Sequence, residues 1–395
     1  MAAMNWKSLE RGAKRTVTVA LGRVWGAAGE DTELPRIGDL ERVLVIRQQN
    51  QLGDLLLATP IFRALRAAAP EARLDLVTSP ANHAAALGNR RVDEVLCYDK
   101  TRFLKRPLEG KRFADRLRDA RYDLAIVSST VSFSMTSAWL ATLSGARRRA
   151  GRADPEGRGQ DVAERLYHWT LPPPALRRHQ SGVNLDLVEP FGASADDWRP
   201  ELHLSAAEVD AGREALDAAL GAPDASGTAR SLRILVHPGA GKLPNRWPAD
   251  RFGAVAAALE GAGHRVVAAA GLAEQGLLAE IDRGAGGRRI ARLPALPVRA
   301  FAGAAQHADL LLVNDTGVLH VGAAVGARVL ALFGPTDPGQ WCPASPRVRW
   351  LRAPGGDLAA LDVGSVRAAM AAFAAHMLDG SPPPAEPAPA PEQVP

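Results

Sequence analysis

Short apolar runs alternate with Ala-rich amphipathic stretches along most of the chain. Val43–Ile46, Leu74–Val77, Val95–Tyr98 and Leu124–Val127 have the unbroken apolar character of buried parallel strands, which are covered on both faces. Between and after them, Ile61–Ala69 and Ser137–Leu143 read as helices. Pro172-Pro173-Pro174, followed by Arg177–Phe191, reads as a loop and a helix closing the first half. The small polar run Gly221–Thr228 then reads as a linker. Beyond it the rhythm restarts, with strands at Ile234–Val236, Arg265–Ala268, Leu310–Val313 and Val329–Phe333 and a last helix at about Val363–Leu378. Such alternation predicts an α/β chain of mostly parallel, doubly wound sheets, one in each half. No repeat of solenoid period is present.

The ends differ from this body. Trp6, Leu9, Ala13, Val17, Ala20 and Val24 fall on one helical stripe, with Lys7, Arg11, Lys14 and Arg15 off it. A basic amphipathic helix of this kind rests on an anionic membrane surface, packs on the first domain or is a frayed extension. Arg23 breaks the apolar part, which argues against a signal peptide. Nowhere does an apolar run approach the ~20 residues of a spanning helix. Asp379–Pro395 is a Pro/Ala tail without core-forming residues, expected to be disordered. The expected division is therefore an extension over 1–36, a first domain over 37–220, a linker over 221–232, a second domain over 233–378 and a tail over 379–395.

Composition fits two globular domains: 395 residues, 47% of them hydrophobic, suffice for two cores. A formal charge of +5 favours anionic partners, but with 5% aromatics and no interleaved aromatic-basic run, nucleic acid is not among the expected ones. Cys97 and Cys342 are isolated, which suits a reducing cytoplasm and leaves no metal motif.

Candidate chemistry sits at the turns that follow strands. Asn314-Asp315-Thr316-Gly317 ends a strand and opens a helix near Val318, whose free N–H groups suit a bound phosphate; His320 lies in that helix's first turn. Gly334-Pro335-Thr336-Asp337-Pro338 closes the next strand and opens at the same sheet edge. His237-Pro238-Gly239-Ala240-Gly241 is a small-residue turn able to bring backbone N–H groups to a pyrophosphate, with Lys242 and Arg246 beside it. Gly53-Asp54 puts a carboxylate where a strand gives way to a helix, either as that helix's N-cap or as a catalytic group.

These motifs together resemble the ADP-heptose:lipopolysaccharide heptosyltransferases, glycosyltransferase family 9. The likeness rests on D-T-G-x-x-H followed by F-G-P-T-D-P, on Val43–Pro60, and on Val236–Phe252 with its Trp-Pro helix start. It implies the GT-B fold, two Rossmann-like domains with a cleft between them and a last helix crossing back onto the first domain. It also implies an inverting, metal-independent transfer without cofactor. In that scheme Asp54, beside Gly53 on the acceptor side, is the base. Gly239, Lys242 and Arg246 face the donor diphosphate, and Glu274 the ribose. Asp315 meets the sugar hydroxyls, the Thr316 and Gly317 amides the phosphate, and His320 the sugar or phosphates. The implied partners are a nucleotide sugar, ADP-heptose, and a lipid-linked or core-oligosaccharide acceptor. The implied place is the cytoplasm, with the inner membrane surface as a further partner. One position departs from the family pattern: Asn245 stands where a Lys is expected. The alternatives are a member using another nucleotide sugar and a non-catalytic nucleotide-sugar binder.

Overall fold

A computed structural model describes residues 33–129, 133–153, 160–174, 177–221 and 231–379. The stripe from Trp6 to Val24, most of the expected linker and the Pro/Ala tail lie outside the described residues. Contacts divide the chain into two compact units, residues up to Asn50 with Ala58–Asp197, and Gln51–Leu57 with the chain from Trp198 onward.

The first unit is built on β1 (Arg42–Arg47), a short helix α1 (Leu52–Ala58) whose first six residues group with the second unit, then α2 (Pro60–Ala68), β2 (Arg73–Thr78) and α3 (Pro80–Ala86). It continues with β3 (Glu94–Cys97), α4 (Lys100–Lys105), α5 (Pro107–Asp119), β4 (Leu124–Val127), α6 (Met135–Leu143), β5 (Arg148–Arg152), α7 (Gln160–Leu166), β6 (Trp169–Leu171) and α8 (Gln180–Leu185). The second unit runs through α9 (Ala206–Leu220), β7 (Arg233–His237), α10 (Ala249–Gly261), β8 (Arg265–Ala268), α11 (Gly276–Gly284), β9 (Ala291–Arg292), α12 (Val298–His307) and β10 (Leu310–Asn314). It ends with α13 (Gly317–Ala324), β11 (Val329–Phe333), α14 (Pro338–Trp341), β12 (Val348–Arg352) and α15 (Val363–Asp379).

Both sheets have six strands, all parallel, in the orders β3-β2-β1-β4-β5-β6 and β12-β11-β10-β7-β8-β9. Counted within its own unit, each is wound 3-2-1-4-5-6, the Rossmann order. The period-two geometry of strands sorts the second unit's core into two layers: Ile234, Val236, Leu310 and Leu312 face one side, Leu235, Leu311 and Val313 the other.

Four strands fall where the sequence gives no apolar run: Arg148–Arg152, Trp169–Leu171, Ala291–Arg292 and Val348–Arg352. Arginine masks three of them, and Trp169–Leu171 is simply too short to stand out. Arg149 and Arg152 are buried on β5, and the Arg149 guanidinium donates through Nε to the Leu166 carbonyl at 2.7 Å.

Two expectations of domain organisation are corrected. Residues 198–220, expected in the first domain, belong to the second unit, because α9 packs on α12 at a glycine contact too close for any side chain. A Cβ at Gly212 would stand 2.2 Å from the Gly303 carbonyl carbon. Gln51–Leu57, also expected in the first domain, groups with the second unit; the last helix, expected within 233–378, buries Val366, Met370, Phe373 and Ala374 in that unit's core beside Trp247 and Leu259.

Candidate active site

A doubly wound sheet binds ligands outside the carboxyl ends of its strands, where the strand order reverses. In the first unit that point lies between β1 and β4. The residues there are polar and mutually bonded: Gln49 donates to the Ser129 hydroxyl at 2.9 Å, and Asn82 to the Gln49 carbonyl at 2.7 Å. Next to them, Gln48 donates to the Ser134 hydroxyl at 3.0 Å.

In the second unit the reversal lies between β7 and β10, so the loops after His237 and Asn314 meet. Asn314 is fully buried and ties them together. Its amide donates to the Pro238 carbonyl at 2.7 Å, and its Oδ1 accepts from the Trp247 backbone N–H at 3.0 Å. Trp247 is itself fixed, its Nε1 donating to the Leu361 carbonyl at 2.9 Å. The loop from Pro238 to Arg246 is therefore anchored at both ends.

Asp315 follows Asn314 and is held by two donors, Asn245 Nδ2 at 3.0 Å and the Thr336 hydroxyl at 2.6 Å, both on Oδ2. Burial pushes its carboxyl above the ordinary aspartate range; the Thr336 bond and the Lys242 charge oppose this, and the Asp54 charge reinforces it. The position expected to carry Lys thus supplies a buried neutral amide to Asp315, while the exposed Lys242 supplies the positive field. Arg246 serves elsewhere. It donates to the Ala240 carbonyl at 2.8 Å and to Glu274 Oε1 at 3.2 Å.

Glu274 explains Gly239. A Cβ there would lie 2.1 Å from Glu274 Oε2, so the carboxylate occupies the space a side chain would need. His237, at the end of β7, is buried edge-on against Phe301 at 6.0 Å between ring centroids, and burial lowers its imidazole pKa.

Asp54 is the third residue of α1, inside its first turn, so the N-cap alternative does not describe it. Its neighbours are tightly placed within the second unit. A Cβ on Gly53 would stand 2.6 Å from Cδ2 of His320, and one on Gly317 would stand 3.3 Å from Leu52 Cβ. The start of α1 thus lies against the first turn of α13, whose N-cap is Thr316. That N-terminus offers free N–H groups to an anion. Gly53, Asp54, Lys242, Asp315, Thr316, Gly317 and His320 are brought together on this side, with Gly239, Arg246 and Glu274 on the β8 side. The bracing by Asn245, Asn314 and Thr336 was not legible as such in the sequence, because an amide or hydroxyl bridging two loops has no periodicity. Among the described residues, no group of three or more His, Cys, Asp or Glu is placed to hold a metal, and no helix is long and apolar enough to cross a membrane.

The family model for glycosyltransferase family 9 (heptosyltransferase) matches residues 111–365. A lipopolysaccharide heptosyltransferase 1 from Pseudomonas aeruginosa is 29% identical over 312 residues, covering 75% of this chain and 80% of that protein. The crystal structure of a glycosyl transferase family 9 protein from Veillonella parvula superposes with a TM-score of 0.71 at 20% identity, covering 88% of this chain and 99% of that one. The structure of the E. coli heptosyltransferase WaaC with ADP gives 0.67 at 20% identity, over 84% and 99%. The folds are those of GT-B enzymes.

Proposed function

This chain belongs to glycosyltransferase family 9, the heptosyltransferases, and from that premise we propose that it moves heptose from ADP-heptose, with inversion and without metal, to a lipopolysaccharide core or related lipid-linked acceptor. The observation that carries the reading is the convergence of Asp54, Asp315 and the α13 N-terminus at the second unit's switch point.

The acceptor hydroxyl oxygen attacks the anomeric carbon, and Asp54 takes the hydroxyl proton. The bond from that carbon to the diphosphate oxygen breaks, and the nucleoside diphosphate leaves with the electron pair. Its growing charge is met by the Thr316 and Gly317 amides, the α13 dipole and Lys242. Asp315, braced by Asn245 and Thr336, accepts from sugar hydroxyls. Glu274, oriented by Arg246, accepts from the ribose hydroxyls. His320 lies against the sugar or the phosphates. Reaction in the cytoplasm is part of this reading.

A neutral Asn245 beside the sugar-binding carboxylate favours a second reading, in which the donor is a different nucleotide sugar. A thermal-shift screen of ADP-, UDP-, GDP- and dTDP-sugars separates the two, since a ligand at 100 times its Kd stabilises by about 2.7 kcal/mol. ADP-heptose is expected to give the largest shift, and transfer to persist in EDTA. A larger shift with another base, or activity lost to EDTA and restored by Mg²⁺, contradicts the proposal.

A further inference from the structure

Between residues 100 and 119, eight Lys and Arg stand against three Asp and Glu, a surplus of five that equals the formal net charge of the whole chain, +5. Elsewhere the charges cancel. This basic segment is the α4–α5 elbow of the first unit, which turns at Arg106-Pro107. At its tip Leu104 and Leu108 are each 73% exposed. Among the described residues they are the only two exposed large hydrophobic side chains within five residues of each other. Lys100, Lys105, Arg106, Lys111 and Arg112, all exposed, surround them.

The exposure of these leucines is built in. Phe103, next to Leu104, turns inward and packs against Phe113 at 5.2 Å and Tyr98 at 5.6 Å between ring centroids. Asp99 caps α4, accepting from the Arg102 backbone N–H at 2.9 Å. Arg102 and Arg106 both bond Glu109 across the turn, at 2.5 and 2.9 Å. The aromatic side is thus fixed to the unit, and the two leucines are carried outward on a braced platform.

We propose that this elbow is a membrane-docking surface, with Leu104 and Leu108 entering the headgroup and acyl boundary of an anionic bilayer and the surrounding Lys and Arg meeting lipid phosphates. The charge decides the occupant. A self-association face would set five surplus positive charges against five more, whereas an anionic bilayer complements them. Place in the fold gives the reason for docking. The elbow follows the carboxyl end of β3, the same sheet edge as Gln49, Asn82 and Ser129, and β3 is two strands, about 10 Å, from β1. A bilayer there brings the head of a lipid-linked acceptor to the edge where a doubly wound sheet takes its ligand. This purpose rests on the lipid-linked acceptor proposed above; the docking surface itself does not.

The test is co-sedimentation of the full chain with phosphatidylglycerol-containing and with pure phosphatidylcholine vesicles, comparing wild type with Leu104→Asn/Leu108→Asn and with Lys105→Glu/Lys111→Glu. Wild type is expected to pellet with the anionic vesicles only, and each double variant to lose roughly tenfold or more in partitioning. Neither pair touches the residues assigned to transfer, so turnover on a soluble acceptor fragment stays unchanged. Equal pelleting of wild type and the leucine variant overturns the proposal and leaves binding to another part of the chain. Wild-type dimerisation abolished by the leucine pair also overturns it, in favour of a second copy as occupant. If vesicle binding follows the leucines while no lipid-linked acceptor is glycosylated, docking stands and the acceptor reading falls.

Discussion

Gly53 and His320 share a space that admits only one side chain: a Cβ on Gly53 would stand 2.6 Å from Cδ2 and 2.8 Å from Nε2 of the His320 ring. The glycine therefore holds the start of α1 against the first turn of α13. Gly53→Ala must displace the ring, and overpacking of this kind typically costs about 1–3 kcal/mol. Adding His320→Ala makes room for the methyl group. The double variant is accordingly expected to recover much of the stability lost by Gly53→Ala but none of the turnover. A denaturation cycle over the four proteins reads the coupling, and strictly additive losses contradict the packing.

Asn245 is expected to tune Asp315 through the 3.0 Å bond to its carboxylate. Burial already raises the Asp315 carboxyl, so it needs donors to remain ionised. Asn245→Ala removes one and moves the acidic limb of the kcat/KM profile to higher pH. Asn245→Lys places a cation there and moves the limb to lower pH. Binding of the sugar donor by the Ala variant weakens, because Asp315 is held less firmly as acceptor for the sugar hydroxyls. Profiles that move together, or neither, remove Asn245 from this role.

The α9–α12 contact carries its own pH signature. Hydrogen bonds from Arg299, the largest influence, and from Ser205 hold the Glu208 carboxyl down to about 2, below its ordinary 4.5. A depressed acid stabilises the fold above its unfolded value, and that stability is lost as the pH falls through the folded one. The melting-temperature gap between wild type and Glu208→Gln is therefore expected to be constant from pH 6 upward and to close between about pH 4.5 and 2. A gap unchanged down to pH 2 contradicts the assignment.

Much of this arrangement was legible in the chain because strongly apolar strands and the turns after them announce themselves. Leu310–Val313 and the turn Asn314–Gly317 fixed a strand, a loop and a helix start within a residue of where they stand. What stayed hidden has physical causes. Arg148–Arg152 forms a strand although arginine-rich, its Arg149 stem buried while the head finds the Leu166 carbonyl, a pattern alternation cannot reveal. The small polar run after Leu220 resembles a domain boundary, yet the boundary precedes α9, since only the fold shows Gly212 pressed against Gly303. Nothing in the sequence shows that the space left by the missing side chain of Gly239 is taken by the Glu274 carboxylate. Asn245 looked like a missing charge and proved to be a brace on Asp315.

The role of Asp54 as the base that takes the acceptor proton is tested by turnover of Asp54→Asn with ADP-heptose and a saturating acceptor, measured beside donor affinity. Asn keeps the size of the side chain and removes its basic lone pair. Asp54 sits in the first turn of α1, where its charge contributes about 0.3–1 kcal/mol through the helix dipole. In Asp54→Asn, kcat is expected to fall by roughly 10² to 10⁴ with donor Kd near wild type. Wild-type turnover by Asp54→Asn would contradict that role.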